Sequence, residues 1–138
     1  MANRYEQAEL LVALWKLGCD NEPIPTSHGI LDRALESCLS SLPESLRLGL
    51  TFGKTSVGLR CYELPNILLA AQEAMLTSEP NPTYRASIVT IDENRARQIV
   101  VSFGLSTSDA KRIGEELRSQ VSSVRAEFAG NSEDLEPA

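Results

Sequence analysis

The chain is poor in the residues from which most catalytic sites are built. Its 138 residues include one histidine, three cysteines, one tryptophan, three tyrosines and three phenylalanines. A single histidine, His28, cannot supply the multi-histidine ligand sets of catalytic zinc centres. It also leaves a serine or cysteine nucleophile with only one histidine to act as its base. His28 and Asp32 are four residues apart, on one face of a helix. The expected reading is a solvent-facing histidine at a helix start, with no metal and no cofactor. Cys19, Cys38 and Cys61 are odd in number and widely spaced. They do not form a disulfide framework and are expected to be reduced, buried thiols of a cytoplasmic protein.

Long apolar runs are also missing. Leu10 to Leu17, the longest near the N-terminus, is broken by Lys16 and is far shorter than a membrane span. Met1 to Tyr5 lacks a basic segment leading into an apolar one, so no signal peptide is expected. Basic charge is scarce: 13 Lys and Arg face 19 Asp and Glu, a net charge of −6. That balance disfavours non-specific nucleic-acid binding and anionic membrane surfaces. It favours, weakly, a basic protein partner.

What is present is ordinary globular material, 42% apolar and 23% charged. A chain of this length fits one domain and buries roughly two-thirds of its unfolded surface without a metal or disulfide staple. The expected organisation is one α+β domain over 1–130 and an acidic disordered tail over 131–138.

Helical spacing of apolar residues predicts a first helix from Arg4 to Leu17, with Gly18 as its stop. A second is expected from an N-cap at Ser27 to about Leu42, carrying Ile30, Leu31, Ala34, Leu35, Cys38 and Leu39 inward. Ser41 and Glu44 have capping-box spacing for one further short turn. Strict alternation at Leu46, Leu48, Leu50 and Phe52, and again at Val57, Leu59 and Cys61, then predicts a hairpin with Phe52 opposite Val57. A third helix opens at Pro65 and ends near Ser78. β-Branched residues at 88–91 and 98–103 predict a second hairpin around a charged turn at 92–97. A last helix starts at Ser106 and stops at Gly130. Its apolar positions Ala110, Ile113, Leu117, Val121, Val124 and Phe128 are spaced 3, 4, 4, 3 and 4 apart. The expected architecture is therefore two N-terminal helices followed by two ββα units. These would form a four-stranded antiparallel sheet with helices packed mainly on one face.

Short motifs add three candidates to this frame. Gly49-x-x-x-Gly53-Lys54-Thr55 has one residue too few for a phosphate-binding loop and is followed by strand residues, so it reads as a turn. Asp92-Glu93 and Glu115-Glu116 read as solvated surface, because adjacent helical residues do not face each other. Val100-x-x-x-Gly104-Leu105-Ser106 resembles the turn of a helix-turn-helix, which places residues of about 97–118 as a DNA-binding unit. That unit requires 97–103 to be a helix. Its charges balance: Arg95, Arg97, Lys111, Arg112, Arg118 and Arg125 against Asp92, Glu93, Asp109, Glu115, Glu116 and Glu127. A DNA-reading helix normally lies in a basic field.

No catalytic constellation emerges, and no enzyme activity is expected. The far end of the last helix, with Val121, Val124 and Phe128, extends past strands of ordinary length and is the expected partner-binding seam, for a second copy of the chain. Arg47, Arg60 and Tyr62 are a possible anion site on the outer sheet face. The helix, sheet and helices on one face resemble, in topology alone, the small acidic chaperones of type III secretion. That resemblance implies a chaperone-like role. The leading expectation is a non-catalytic, homodimeric intracellular interaction module: an adaptor, chaperone-like protein or regulatory subunit. The alternatives are a helix-turn-helix transcriptional regulator and a small-ligand-binding domain.

Overall fold

The computed structural model describes residues 3–19, 22–26, 29–78 and 86–135, with the backbone alone for 128–135. The elements are α1 (Arg4–Cys19), β1 (Ile24–Pro25), α2 (Ile30–Ser37), a 3-10 turn (Leu39–Ser41) and α3 (Glu44–Arg47). They continue with β2 (Phe52–Thr55), β3 (Gly58–Cys61), α4 (Leu64–Glu73), β4 (Thr77–Ser78), β5 (Ala86–Val89), α5 (Glu93–Ser102) and α6 (Thr107–Leu135).

Helix α1 is the axis of the fold. Its N-terminus is closed by a reciprocal cap: Glu6 N–H donates to Asn3 Oδ1 at 2.8 Å, and Asn3 N–H to Glu6 Oε1 at 3.0 Å. From Gln7 onward almost every side chain is buried, on all sides of the helix. A helix that is apolar all round must be enclosed. Here α6, α5, α4 and α3 all pack on it. At its C-terminal end Gly18 meets Gly114 of α6 backbone to backbone. A Cβ at Gly114 would lie 2.1 Å from the Leu14 carbonyl oxygen, and one at Gly18 would lie 2.2 Å from the Gly114 carbonyl carbon. Trp15 then fastens the departing chain by donating from Nε1 to the Glu22 carbonyl at 2.7 Å.

The first hairpin forms one turn later than the alternation predicts. Residues 44–47 are helical and tight turns carry the chain on through 50, so that Leu46 and Leu50 both reach the core. Leu48 is left 63% exposed. The strands pair Phe52 with Cys61 and Thr55 with Gly58, so Ser56 and Val57 form the turn. Gly58, at φ 106°, closes it. Val57 is therefore a 69% exposed tip residue rather than a core partner of Phe52. The inner end is tied down by Asp32 of α2, whose buried Oδ2 accepts from the Cys61 N–H at 2.7 Å. Ser41 does not cap α3. Its hydroxyl donates to Glu116 Oε1 of α6 at 3.2 Å.

The second hairpin is not formed. β5 pairs antiparallel with both β1 and β4, giving a three-stranded sheet in the order β1-β5-β4 beside the separate β2-β3 pair. The fold is α+β with small antiparallel sheets, and the expected four-stranded sheet is replaced by these two. Residues 98–103 fall largely in α5. Asp92 starts that helix by accepting from the Arg95 N–H at 2.8 Å. Ala96, Ile99 and Val100, at helical spacing, are buried next to α1. Tertiary burial thus overrides the strand preference of Ile99-Val100-Val101, and the resemblance to the secretion chaperones loses its second hairpin.

Helix α6 begins at the expected cap, Asp109 N–H donating to Ser106 Oγ at 3.1 Å, but runs through Gly130 to Leu135. At Val121 and Val124 the stripe does not overhang. Val121 and Val124 are buried within the chain, 1% and 4% exposed, where α6 packs on α1 and α2. Phe128's side chain, Ser27 and His28 lie outside the described residues.

Asp32 gives this account a direct test. Asp32→Ala orphans the Cys61 N–H and is expected to cost about 1–3 kcal/mol in urea unfolding. Asp32→Asn keeps an acceptor and should recover part of that loss. An alanine variant as stable as the parent chain would show that the hairpin is not held from α2.

Candidate functional site

The sequence-predicted anion residues lie on two elements. Arg47 lies on α3 and pairs with Glu44 at 3.6 Å. Arg60 turns back along β3, donating to the Leu59 carbonyl at 2.8 Å, with its guanidinium over Gly29. Tyr62 lies across Gly53. Arg60 and Tyr62 are neighbours, since Gly53 is the cross-strand partner of Arg60, whereas Arg47 lies on a separate element.

The cysteines are packing residues. All three are free and buried. Burial pushes the Cys19 thiol up to about 12, with Glu22 adding to the rise, and Cys19 Sγ donates to the Gly114 carbonyl at 3.5 Å. Burial likewise pushes Cys38 and Cys61 up to about 11. A nucleophilic cysteine needs a thiolate near neutral pH, and these environments oppose one. Among the described residues, no group of three or more His, Cys, Asp and Glu is placed to hold a metal ion.

The segment expected as a helix-turn-helix is helical on both sides of its turn. α5 ends with the Leu105 N–H on the Val100 carbonyl at 3.0 Å, Gly104 takes φ 82°, and α6 follows. Its cations are largely engaged within the chain, however. Arg95 pairs with Glu9 at 3.3 Å, Arg97 with Glu93 at 3.0 Å, Arg112 with Asp109 at 3.3 Å, and Arg118 with Glu22. Phosphate contacts would have to compete with these carboxylates.

The feature the sequence did not announce is at the end of α4. The helix closes with the Leu76 N–H donating to the Ala71 carbonyl at 2.9 Å, which puts Met75 in the left-handed region at φ 62°. Glycine is the usual occupant of that closing position. Met75 is the one described non-glycine residue with positive φ, and it is 81% exposed. The Thr90 hydroxyl locks it by donating to the Met75 carbonyl at 2.7 Å. Beside it is a recess of about 380 Å³ lined by Gln72, Met75, Thr77, Ser78 and Thr90. Ile88, opposite Ser78 across the ladder, is 44% exposed, and Leu69, one turn before Gln72, is 53% exposed. Three exposed apolar side chains thus stand on α4, its closing turn and β5, and β4 between them is an edge strand. The only signal in the sequence was the absence of glycine where α4 ends.

Thiol reactivity tests the packing role of the cysteines. All three are expected to react slowly with a disulfide reagent in the native protein at mildly alkaline pH, and together on unfolding. Rapid native reaction of any one would contradict the burial described. Compared with known protein families, curated proteins and solved structures, the chain matches none.

Proposed function

We propose that the chain is a non-catalytic protein-interaction module of the cell interior, acting as a homodimer. The observation that carries this reading is Met75. A bulky side chain in the left-handed region costs roughly 1–2 kcal/mol relative to a helical conformation. Glycine would meet the same geometry without that cost. Backbone strain of this kind, held in place by surrounding hydrogen bonds, is a recognised mark of functional surfaces. The strained residue here is a large, flexible apolar one, and Leu69 and Ile88 on the adjoining α4 and β5 are exposed as well. Methionine suits adaptable protein contacts, and apolar surface rimmed by polar groups suits association. Leu69, Met75 and Ile88 replace Val121 and Val124 as the residues proposed to meet the partner. No helix among the described residues is long and apolar enough to cross a membrane.

A second reading, a helix-turn-helix DNA binder, has the α5–Gly104–α6 backbone in its favour. The internal pairing of its arginines and the net charge of −6 weigh against it.

Native mass of one variant separates these readings. Met75→Gly removes the side chain proposed to meet the partner and is expected to shift the protein from twice the chain mass towards a monomer. A parent chain that is monomeric by light scattering overturns the dimer. Salt-sensitive binding of duplex DNA by that monomer would establish the second reading instead.

A further inference from the structure

A second recess lies where the N-terminus of α1 meets the α3–β2 connection and the start of α4. It encloses about 400 Å³ and is lined by Asn3, Arg4, Gln7, Leu48, Gly49, Thr51 and Glu63. That volume lies in the range of small-ligand sites. Its two charges are opposite in sign, and each is held by a neighbour.

Arg4 donates from one guanidinium nitrogen to Gln7 Oε1 at 3.0 Å. Gln7 is itself 3% exposed, so its amide is a fixed anchor. Burying such an amide is costly unless it is bonded. Room for it exists because residue 49 is glycine: a Cβ there would lie 1.6 Å from Gln7 Nε2. Arg4 carries five N–H donors and gives one to Gln7, which leaves a planar fork suited to a carboxylate.

Glu63 is held as firmly. Its Oε1 accepts from the Thr51 N–H at 2.7 Å and its Oε2 from the Thr51 hydroxyl at 2.6 Å. Burial alone would raise its carboxyl. The two Thr51 bonds and the Arg4 charge outweigh burial and keep it below the ordinary carboxylate range. The Cys61 thiol also lies on Oε1 at 3.8 Å, so Oε2 is the oxygen that retains a lone pair for a further donor. Both charges are thus present at neutral pH, positioned before any ligand arrives, which lowers the ordering cost of binding.

We infer that this recess binds a small zwitterion of the amino-acid type, its carboxylate on the Arg4 fork and its ammonium on Glu63, with Gln7 and Thr51 as positioning residues. The inference does not rest on the interaction surface at Met75, which lies at the opposite end of α4.

The test is an amide and side-chain NMR titration of the full chain with glycine, β-alanine and γ-aminobutyrate, which span three charge separations. Acetate and ammonium chloride at matched ionic strength are the controls. The expected result is a saturable shift of the Gln7 side-chain and Thr51 backbone signals with at least one amino acid, beyond either control. Arg4→Gln should weaken that binding by about tenfold or more, since it removes a charge-assisted pair. Arg4→Lys should recover it only in part, and the spectra of both variants should otherwise match the parent. Shifts no larger than those of the controls, or undiminished binding by Arg4→Gln, would overturn the assignment.

Discussion

The structure depends on one close approach, the crossing of α1 and α6 at Gly18 and Gly114. No side chain separates the two backbones there, and the Cys19 thiol reaches the Gly114 carbonyl across the crossing. Two helices that approach this closely exclude water from both. Leu14 and Leu17 on one side, and Ile113 and Leu117 on the other, are buried around the contact. Helix α1 is then free of solvent along nearly its whole length, and the other helices take their places from it. α5 and α4 pack on its remaining surface, and α2 packs against α6.

The β structure is secondary to this helical frame. β1, β4 and β5 are two to four residues long, too short to form a stable sheet alone. The β2-β3 hairpin projects from the frame and is held at its base by Asp32 and by the Tyr62 N–H on the Thr51 carbonyl, at 3.0 Å. The two surfaces with functional proposals both lie where a helix end meets one of these small β elements. α4 runs into β4 at Met75, and α1 starts beside the connection into β2 at Arg4. Such junctions leave strained backbone or fixed charge at the surface, which the interior of a regular helix does not.

Helices with strong periodicity were legible from sequence. α1 and the buried half of α6 follow directly from their apolar spacing, and the Ser106 cap holds. The errors have a shared cause. Leu46 to Phe52 alternates strictly and Ile99 to Phe103 is rich in β-branched residues, and both patterns point to strand although the same apolar positions also suit a helical turn. Burial against α1 decided both the other way, which no local pattern reports. The expected overhang at Val121 and Val124 failed because it assumed a sheet as the packing surface of α6, whereas α1 and α2 provide it. Neither candidate site was legible. Gln7 reads as a polar helix residue until its burial is seen, and Met75 reads as an ordinary helix end until its φ is known.

The most direct test of the central crossing is the unfolding free energy of Gly114→Ala. At a solvent-facing helix position this change stabilises by about 1 kcal/mol, because alanine is the better helix former. At the crossing the added methyl has no space, and the account predicts a destabilisation of roughly 3 kcal/mol or more. A Gly114→Ala protein as stable as the parent, or more so, would show that α1 and α6 do not meet backbone to backbone, and the arrangement built on that contact would fall with it.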